Sequence, residues 1–549
     1  MEPMTDRFFF SLRRGVVKLT AKSRMNENPP KPARHRIGQK ILLGLAGMVL
    51  LLFLAVLVLD MIGKNSLTRY ERQWEDKGEH FDFASFIPKP VPDDQNFALT
   101  PIVATSYESL LDKHGHRVVP FNPNVVPRLW MEIYDYAALP YNPTNDGSWG
   151  KGTKTDLKVF QLYYRELATK TNEFPNAPQI QSPAADVLLA LSKFDPTIEE
   201  LRQAAALPDS RFPLNYDTEE PMTILLPHLA ALKRCSQVLQ LRAVAELQNG
   251  QPAMALADVK LMLRLIDSVH TEPILISHMV RISMLKLTLQ PVWEGLQDHK
   301  WSDAQLAELD QELAKLDFLA DYEFSLRGER AVLMAEIEHL RHTRHFEFYL
   351  GHSEAPNAAE IALHILPNSV FYRTELLIAR EHQELILPIV DVGRHSVSPG
   401  AAQLATTNLF HERSRPALNE MLPNLMLDVS ELFLPHPIEP NAKRFAYGQS
   451  VVDMARVACA LERFRLAQGE YPETLDALQP RFIESLPHDV IGGQPLKYRR
   501  MDNGQFTLYS VGWNGTDDGG AVVQATNPDY GNESDKGDWV WPGQVISNQ

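Results

Sequence analysis

The stretch LRAVAELQNGQPAMALADVKLMLRLID, Leu241–Asp267, decides the fold class of this chain. Leu241, Val244, Ala245 and Leu247 recur at the three-to-four-residue spacing that lays apolar side chains along one face of a helix. Asn249-Gly250-Gln251-Pro252 then interrupts the pattern, because Gly accepts the left-handed backbone that ends a helix and Pro suits the first turn of the next. Met254, Leu256, Val259, Leu261, Met262, Leu265 and Ile266 resume the stripe. Two helices folded back on each other are predicted, inside a mainly α body.

Outward from the hairpin the same periodicity continues. Leu225, Leu226, Leu229, Leu232, Val238 and Leu239 extend the first helix towards the N-terminus. Beyond the second, a helix starts near Pro273, another follows the cap-like Ser302-Asp303 (SDAQLAELDQELAKLDFLADYEF), and a last one runs through GERAVLMAEIEHLRH. A helical domain is therefore placed at 182–440. Within it, Leu241–Asp267 resembles one tetratricopeptide-type turn, with Ala245, Gly250, Ala255 and Leu256 where that family sets small and apolar residues at its helix crossing. A solenoid needs about three or more such units and one is legible, so a repeating and a non-repeating helical body both stand. Residues 81–181 differ: Pro, Asn, Gly and aromatics recur (FIPKPVPDDQNF, PFNPNVVPRLW, LPYNPTNDGSWGKG), which predicts an irregular packed segment. Gly147, Gly150 and Gly152 beside Lys151 lack the G-x-x-x-x-G-K-[ST] spacing of a phosphate loop and read as a plain loop.

At the other end, ILLGLAGMVLLLFLAVLVL, Ile41–Leu59, carries no charge. As a helix it covers about 28 Å, enough to cross the hydrocarbon of a bilayer. It ends in Asp60-Met61-Ile62-Gly63-Lys64 without an Ala-x-Ala cleavage pattern, so an uncleaved anchor at 41–63 is expected. The tail, 1–40, holds ten Lys/Arg against Glu2, Asp6 and Glu27, a charge of +7 that leaves −22 on the rest of a chain whose total is −15. Such a tail stays on the cytoplasmic side. The expectation is a single-pass protein of a bacterial inner (cytoplasmic) membrane, N-terminus inside, with a polar stalk at 64–80 and the body in the periplasm or outside. An acidic body repels phosphate backbones, so nucleic acid is not an expected partner. The expected partners are the lipid bilayer, through the N-terminal helix, and proteins docking on the helical body. With 549 residues, 44% hydrophobic and 22% charged, the bulk should fold in water around more than one core.

Few motifs carry chemistry. Cys235 and Cys459 exclude a disulfide framework or a Cys-rich zinc site; each sits in an apolar helical pattern as a buried small hydrophobe, one long-range disulfide being the alternative. His339, His342, His345 and His352, with Glu336 and Glu338, form the densest histidine group. On one helix the first and third lie about 120° apart, so they cannot share a zinc ion, and a solvated basic helix end with Arg341 and Arg344 is expected. H-E-x-x-H, the G-x-S-x-G elbow, S-x-x-K with its partners and the Rossmann glycines are missing. Asp93-Asp94 and other carboxylates remain free to form a site only in the fold.

The segment 441–549 has its own pattern. A helix with Val451, Val452, Met454, Ala455, Val457, Ala458, Leu461 and Phe464 inward ends at Gln468-Gly469. After the link EYPETLDALQPRFIESLPHD, the strand-like runs Pro495–Arg500 and Gln505–Val511 flank Met501-Asp502-Asn503-Gly504, whose Asn-Gly predicts a hairpin. The order of elements resembles the soluble domain of the major pseudopilin of bacterial type II secretion, through LERFRLAQGEYP (Leu461–Pro472), LPHDVIGGQPL (Leu486–Leu496) and YSVGWNG (Tyr509–Gly515). That resemblance, over about a fifth of the chain, implies a small α+β module with an antiparallel sheet. It also implies calcium held at Ser510, Asn514 and Asp538, with Asp517 and Asp518 as nearby candidates. Asn514 stands where the family has Asp. Most of the chain separates the membrane helix from this segment, and residues 30–45 lack the family's processing site, so filament assembly is not implied.

Three functions follow as expectations. The first is a membrane-anchored extracytoplasmic scaffold or interaction protein with a calcium-stabilised C-terminal module. The others are an envelope hydrolase whose carboxylates converge only in the fold, and an accessory subunit of a type II secretion-like apparatus.

Overall fold

Helix α1 (Arg34–Glu75) is 42 residues long and its apolar part is long enough to cross a membrane. From Ile41 to Ile62 its large apolar side chains are exposed, which in water would be costly and in lipid is not. The computed structural model describes residues 34–112, 114–117, 128–129, 131–134, 138–139, 143, 147–344, 364–413, 438–522 and 536–543. Contacts divide the chain into residues 1–58 and residues 59–549. The second unit is mainly helical and carries two small antiparallel sheets.

Residues 64–80, read as a stalk, are packed in the second unit as far as Glu75. Leu67 and Tyr70 are buried with Phe81, Leu333, Met334, Ile337, Leu340, Leu366, Phe371 and Ile378. Gly63 marks the closest approach: a Cβ there would stand 3.3 Å from the Tyr372 Cβ. Just before it, Asp60 Oδ1 accepts the Ser369 main-chain N–H at 2.6 Å, placing a carboxylate where a helix N-terminus presents unpaired N–H groups.

After an irregular stretch come α2 (Leu157–Lys170), α3 (Pro183–Leu191) and α4 (Asp195–Ala205). The predicted hairpin follows as α5 (Pro227–Gln248) and α6 (Pro252–Asp267), packed on each other, with Pro252 in the first turn of α6 and Gly250 at φ +73°. Arg242 on α5 meets the fully buried Asp258 on α6 at 3.2 Å, and Arg202 on α4 reaches the same carboxylate. Helix α7 (Leu275–Gln297) packs on both. Gly295 of α7 lies under the Trp301 indole, where any Cβ would collide.

The expected single helix after Ser302 is two. Ser302 and Gln305 form a capping box for α8 (Asp303–Leu313), and the chain then turns. Asp317 restarts it by accepting the N–H groups of Leu319 and Ala320, at 3.1 and 2.9 Å, so that α9 (Phe318–Thr343) absorbs both DFLADYEF and GERAVLMAEIEHLRH. Helices α10 (Asn368–Arg380) and α11 (Pro399–Arg413) follow, with the two-stranded sheet β1 (Val390–Asp391) and β2 (Ser396–Val397) between them.

Helix α12 (Ile438–Gln468) is buried on nearly every face, polar residues such as Gln449, Asp453 and Glu462 included, and is packed by α7, α8, α9 and α11. It ends at Gly469, φ +87°, as its sequence predicts. The hairpin at Asn503-Gly504 joins β3 (Lys497–Arg500) to β4 (Phe506–Ser510), and β5 (Trp539–Trp541) pairs on the far side of β4, all antiparallel. The sheet is fastened to the helices by aromatics. Trp539 meets Tyr447 of α12 edge-on, Trp541 lies 5.5 Å from Trp149, and the Trp293 Nε1–H donates to the Pro542 carbonyl at 2.8 Å. Cys235 in α5 and Cys459 in α12 are separate buried thiols.

Candidate functional site

The five residues singled out in the C-terminal loop lie on one edge of the β3–β4–β5 sheet. Their oxygens have partners within the protein. The Ser510 hydroxyl donates to Asp489 Oδ1 at 2.7 Å, and the same carboxylate accepts the main-chain N–H groups of Ile491 and Val511 at 2.9 and 2.8 Å. Asp517 accepts the Tyr509 hydroxyl at 2.9 Å and the Gly519 N–H at 3.1 Å and pairs with Lys497 at 3.1 Å; the amide, the phenol and then the ammonium hold its carboxyl below the usual range. The Asn514 side-chain amide donates to Asp518 at 2.9 Å. Asp538 accepts the N–H groups of Asp518 and Gly520, at 3.2 and 2.6 Å, while burial and the nearby Asp518 and Asp517 push its carboxyl up.

A calcium ion takes six to eight oxygens. Here the Ser510 hydroxyl gives its proton to Asp489 and keeps its lone pairs, Asp517 is paired with Lys497, and Asn514, Asp518 and Asp538 lie in the same loop region. Among the described residues no group of three or more His, Cys, Asp or Glu is placed to hold a metal ion.

Of the histidine group, the two described members have separate acidic neighbours. His339 Nε2 lies 2.9 Å from Glu220, while His342 Nε2 lies 2.9 Å from Glu338 on its own helix. His345 and His352 fall outside the described residues.

A second acidic region was not marked by any motif. Between α1, α9 and α10 lies a cavity of about 520 Å³, walled by Glu71, Glu75 and Lys64 from α1, Glu338 and Arg341 from α9, and Tyr372 and Glu375 from α10. Glu338 and Arg341, three apart on α9, form a two-toothed pair with one N–O distance of 2.9 Å, and the guanidinium lies 4.8 Å over the Tyr372 ring. Burial alone would raise the Glu338 carboxyl, but Arg341 and then His342 outweigh it and hold that carboxyl below the usual range. Glu375 has the opposite balance. It is 5% exposed, beside Glu338, and burial first, then the Glu338 charge, push it up to about 9 against the pull of Arg341. Its Oε1 has no hydrogen-bond partner among the described residues.

One mark of this site is in the sequence. Phe371, Glu375 and Ile378 fall on one face of α10, and both flanking residues are buried, so the spacing puts a carboxyl on an apolar stripe. Its partners on α1 and α9 are hundreds or tens of residues away and carry no shared pattern. Neighbouring carboxyls whose environments drive them apart occur where proteins bind or transform ligands. No family of known proteins, no curated protein and no solved structure matches the chain.

Proposed function

We propose that this protein is a membrane-anchored scaffold or interaction protein, its body held in the extracytoplasmic space. The observation that carries the reading is the apolar run of α1, long enough to cross a membrane, in a chain whose remaining part folds as a mainly helical body. Tyr70 donates to Glu384 at 3.0 Å, and Glu79 just beyond accepts Arg327 at 2.7 Å and Arg330 at 3.1 Å. A body tethered to a membrane suits presentation of surfaces to partners. The type of membrane and the outward direction rest on the basic tail and the positive-inside rule. The pseudopilin-like reading of the C-terminal segment and the tetratricopeptide-like reading of α5–α6 belong to the same proposal.

A second reading, an envelope hydrolase, is favoured by the Glu338–Glu375 pair, since an anionic and a protonated carboxyl side by side is the arrangement of acid–base dyads. One experiment separates the two. The purified chain is assayed against ester, peptide and glycoside panels beside E338Q and E375Q. The scaffold reading expects no turnover; turnover abolished by either substitution overturns it. A reporter fused after Gln549 tests the topology, and activity confined to the inside of the cell would refute an extracytoplasmic body.

A further inference from the structure

We propose that the cavity between α1, α9 and α10 binds a primary ammonium group carried on an apolar chain, with the Glu375 carboxylate as its seat. Three observations converge on that ligand. The first is charge: five carboxyl side chains, those of Glu71, Glu75, Asp82, Glu338 and Glu375, line the cavity against two cations, and Arg341 is already spent on Glu338. The second is an acceptor without a donor: Glu375 is 5% exposed, its hydrogen bond to Glu338 uses its own proton, and its Oε1 lacks a hydrogen-bond partner among the described residues. A buried carboxyl in that condition is stabilised by a donor that brings positive charge. The third is the remaining wall, in which Leu67, Phe81, Phe83 and Met334 offer apolar surface to a hydrocarbon portion.

Other ligand classes fit less well. An anion meets net negative charge. A metal ion finds no group of three ligating side chains among the described residues. A neutral polar molecule leaves the acidic excess uncompensated. The volume, about 520 Å³, is that of a small-molecule pocket. Because the wall residues Lys64–Glu75 follow the apolar Met61-Ile62 directly, the ammonium can be supplied by an aminolipid headgroup or by a soluble alkylamine.

The chemistry of binding is an exchange. Without ligand Glu375 keeps its proton; the incoming ammonium pairs with the carboxylate and the proton leaves to solvent. The groups that face Glu375 set this balance: Lys64, Glu71 and Glu75 on α1, Glu338 and Arg341 on α9, Tyr372 on its own helix and Asp82 beyond α1. Binding should therefore tighten about tenfold per pH unit between pH 6 and 8.

The test uses the full chain in phosphatidylcholine nanodiscs and hexylammonium as the probe, followed by titration calorimetry in two buffers of different ionisation enthalpy. Saturable binding with release of one proton is expected, absent with hexanol or hexanoate. E375Q should bind at least about tenfold more weakly and lose the pH dependence, while its unfolding temperature shows that it folds; E71Q, at the cavity edge, should weaken binding less. Equal binding by E375Q, equal binding of hexanol, or no binding at all overturns the proposal. Replacing the lipid with phosphatidylethanolamine separates the sources. Competition that lowers the apparent affinity supports an ammonium site filled from the bilayer, and unchanged affinity supports one filled from solution. The proposal is independent of the scaffold reading, whose tests are turnover and topology.

Discussion

In the C-terminal sheet, buried Asp489 accepts two main-chain N–H groups and a serine hydroxyl, whereas between α9 and α10 buried Glu375 faces another carboxyl and keeps an oxygen without a donor. Both residues are almost fully covered, at 2% and 5% exposure. The difference lies in where the donors come from. The Leu486–Ile491 turn supplies one N–H, that of Ile491, and the end of β4 brings the Ser510 hydroxyl and the Val511 N–H, so turn and strand end together satisfy the acid. A carboxyl in the middle of a helix has no such supply, because the N–H groups of α10 are already bonded along the helix, and it depends on whatever the neighbouring helices bring. Acidic loops of the first kind close on themselves; a helix-borne acid of the second kind stays open to a ligand.

The sharpest way to break this comparison is D489A. It would strand the N–H groups of Ile491 and Val511 and the Ser510 hydroxyl in a buried site, each worth about 1–3 kcal/mol when left unsatisfied. A loss of roughly 3–5 kcal/mol is expected, read by guanidinium unfolding of the detergent-solubilised chain through tryptophan fluorescence. A loss below about 1 kcal/mol would mean that Asp489 is not the hub of this edge.

E375Q should act with the opposite sign. The Glu375 carboxyl titrates near 9 when folded and near 4.3 when unfolded, so the folded state holds the extra proton between those values. Stability from this group is therefore full below about pH 4 and falls as pH rises towards 9, by at most about 1.4 kcal/mol per unit before water entry and relaxation reduce it. The substitution should leave unfolding at pH 5 nearly unchanged and stabilise the chain by about 1–2 kcal/mol at pH 8. A thermal scan at both values checks it, and destabilisation at pH 8 would show that Glu375 already has a cationic partner.

How much of this was legible in sequence follows the same division. The apolar run at Ile41–Leu59, the α5–α6 hairpin with Gly250 and Pro252, the end of α12 at Gly469 and the Asn503-Gly504 turn were readable, because each is decided by residues within a few positions of one another. The break between α8 and α9 was not, since the apolar pattern runs on past Leu313 and only the Asp317 cap divides it. The site residues in the C-terminal loop were named from a local resemblance, yet the acid that organises them, Asp489, lies some twenty residues earlier in a stretch read as a link. Of the α1–α9–α10 cavity only the apolar stripe that carries Glu375 was legible, because Glu71, Glu338 and Glu375 meet only where Leu67, Tyr70 and Phe371 pack.

The packing that builds the cavity can be probed with Y70F, which keeps the ring among Phe81 and Ile337 and removes only the hydroxyl that donates to Glu384. A hydrogen bond to a charged group contributes about 1.5–3 kcal/mol, and the site is only partly buried, so a loss of about 1 kcal/mol is expected in the same unfolding assay. Hexylammonium affinity should hardly change. A loss of binding comparable to that of E375Q would place Tyr70, rather than the carboxyl, at the centre of the cavity's chemistry.

Calcium is expected to have the smallest effect. An ion present at a hundred times its dissociation constant stabilises a folded chain by about 2.7 kcal/mol, provided a site exists in the folded state. In this loop Lys497 already neutralises Asp517, so an ion would have to displace that ammonium to gain the carboxylate. Millimolar calcium should therefore move the unfolding temperature by less than about 1 °C, and chelation should not lower it. A shift of several degrees that D518N removes would show the loop to be open to a ligand after all, and the contrast between a self-satisfied loop and an unsatisfied helix would then fail on its C-terminal side.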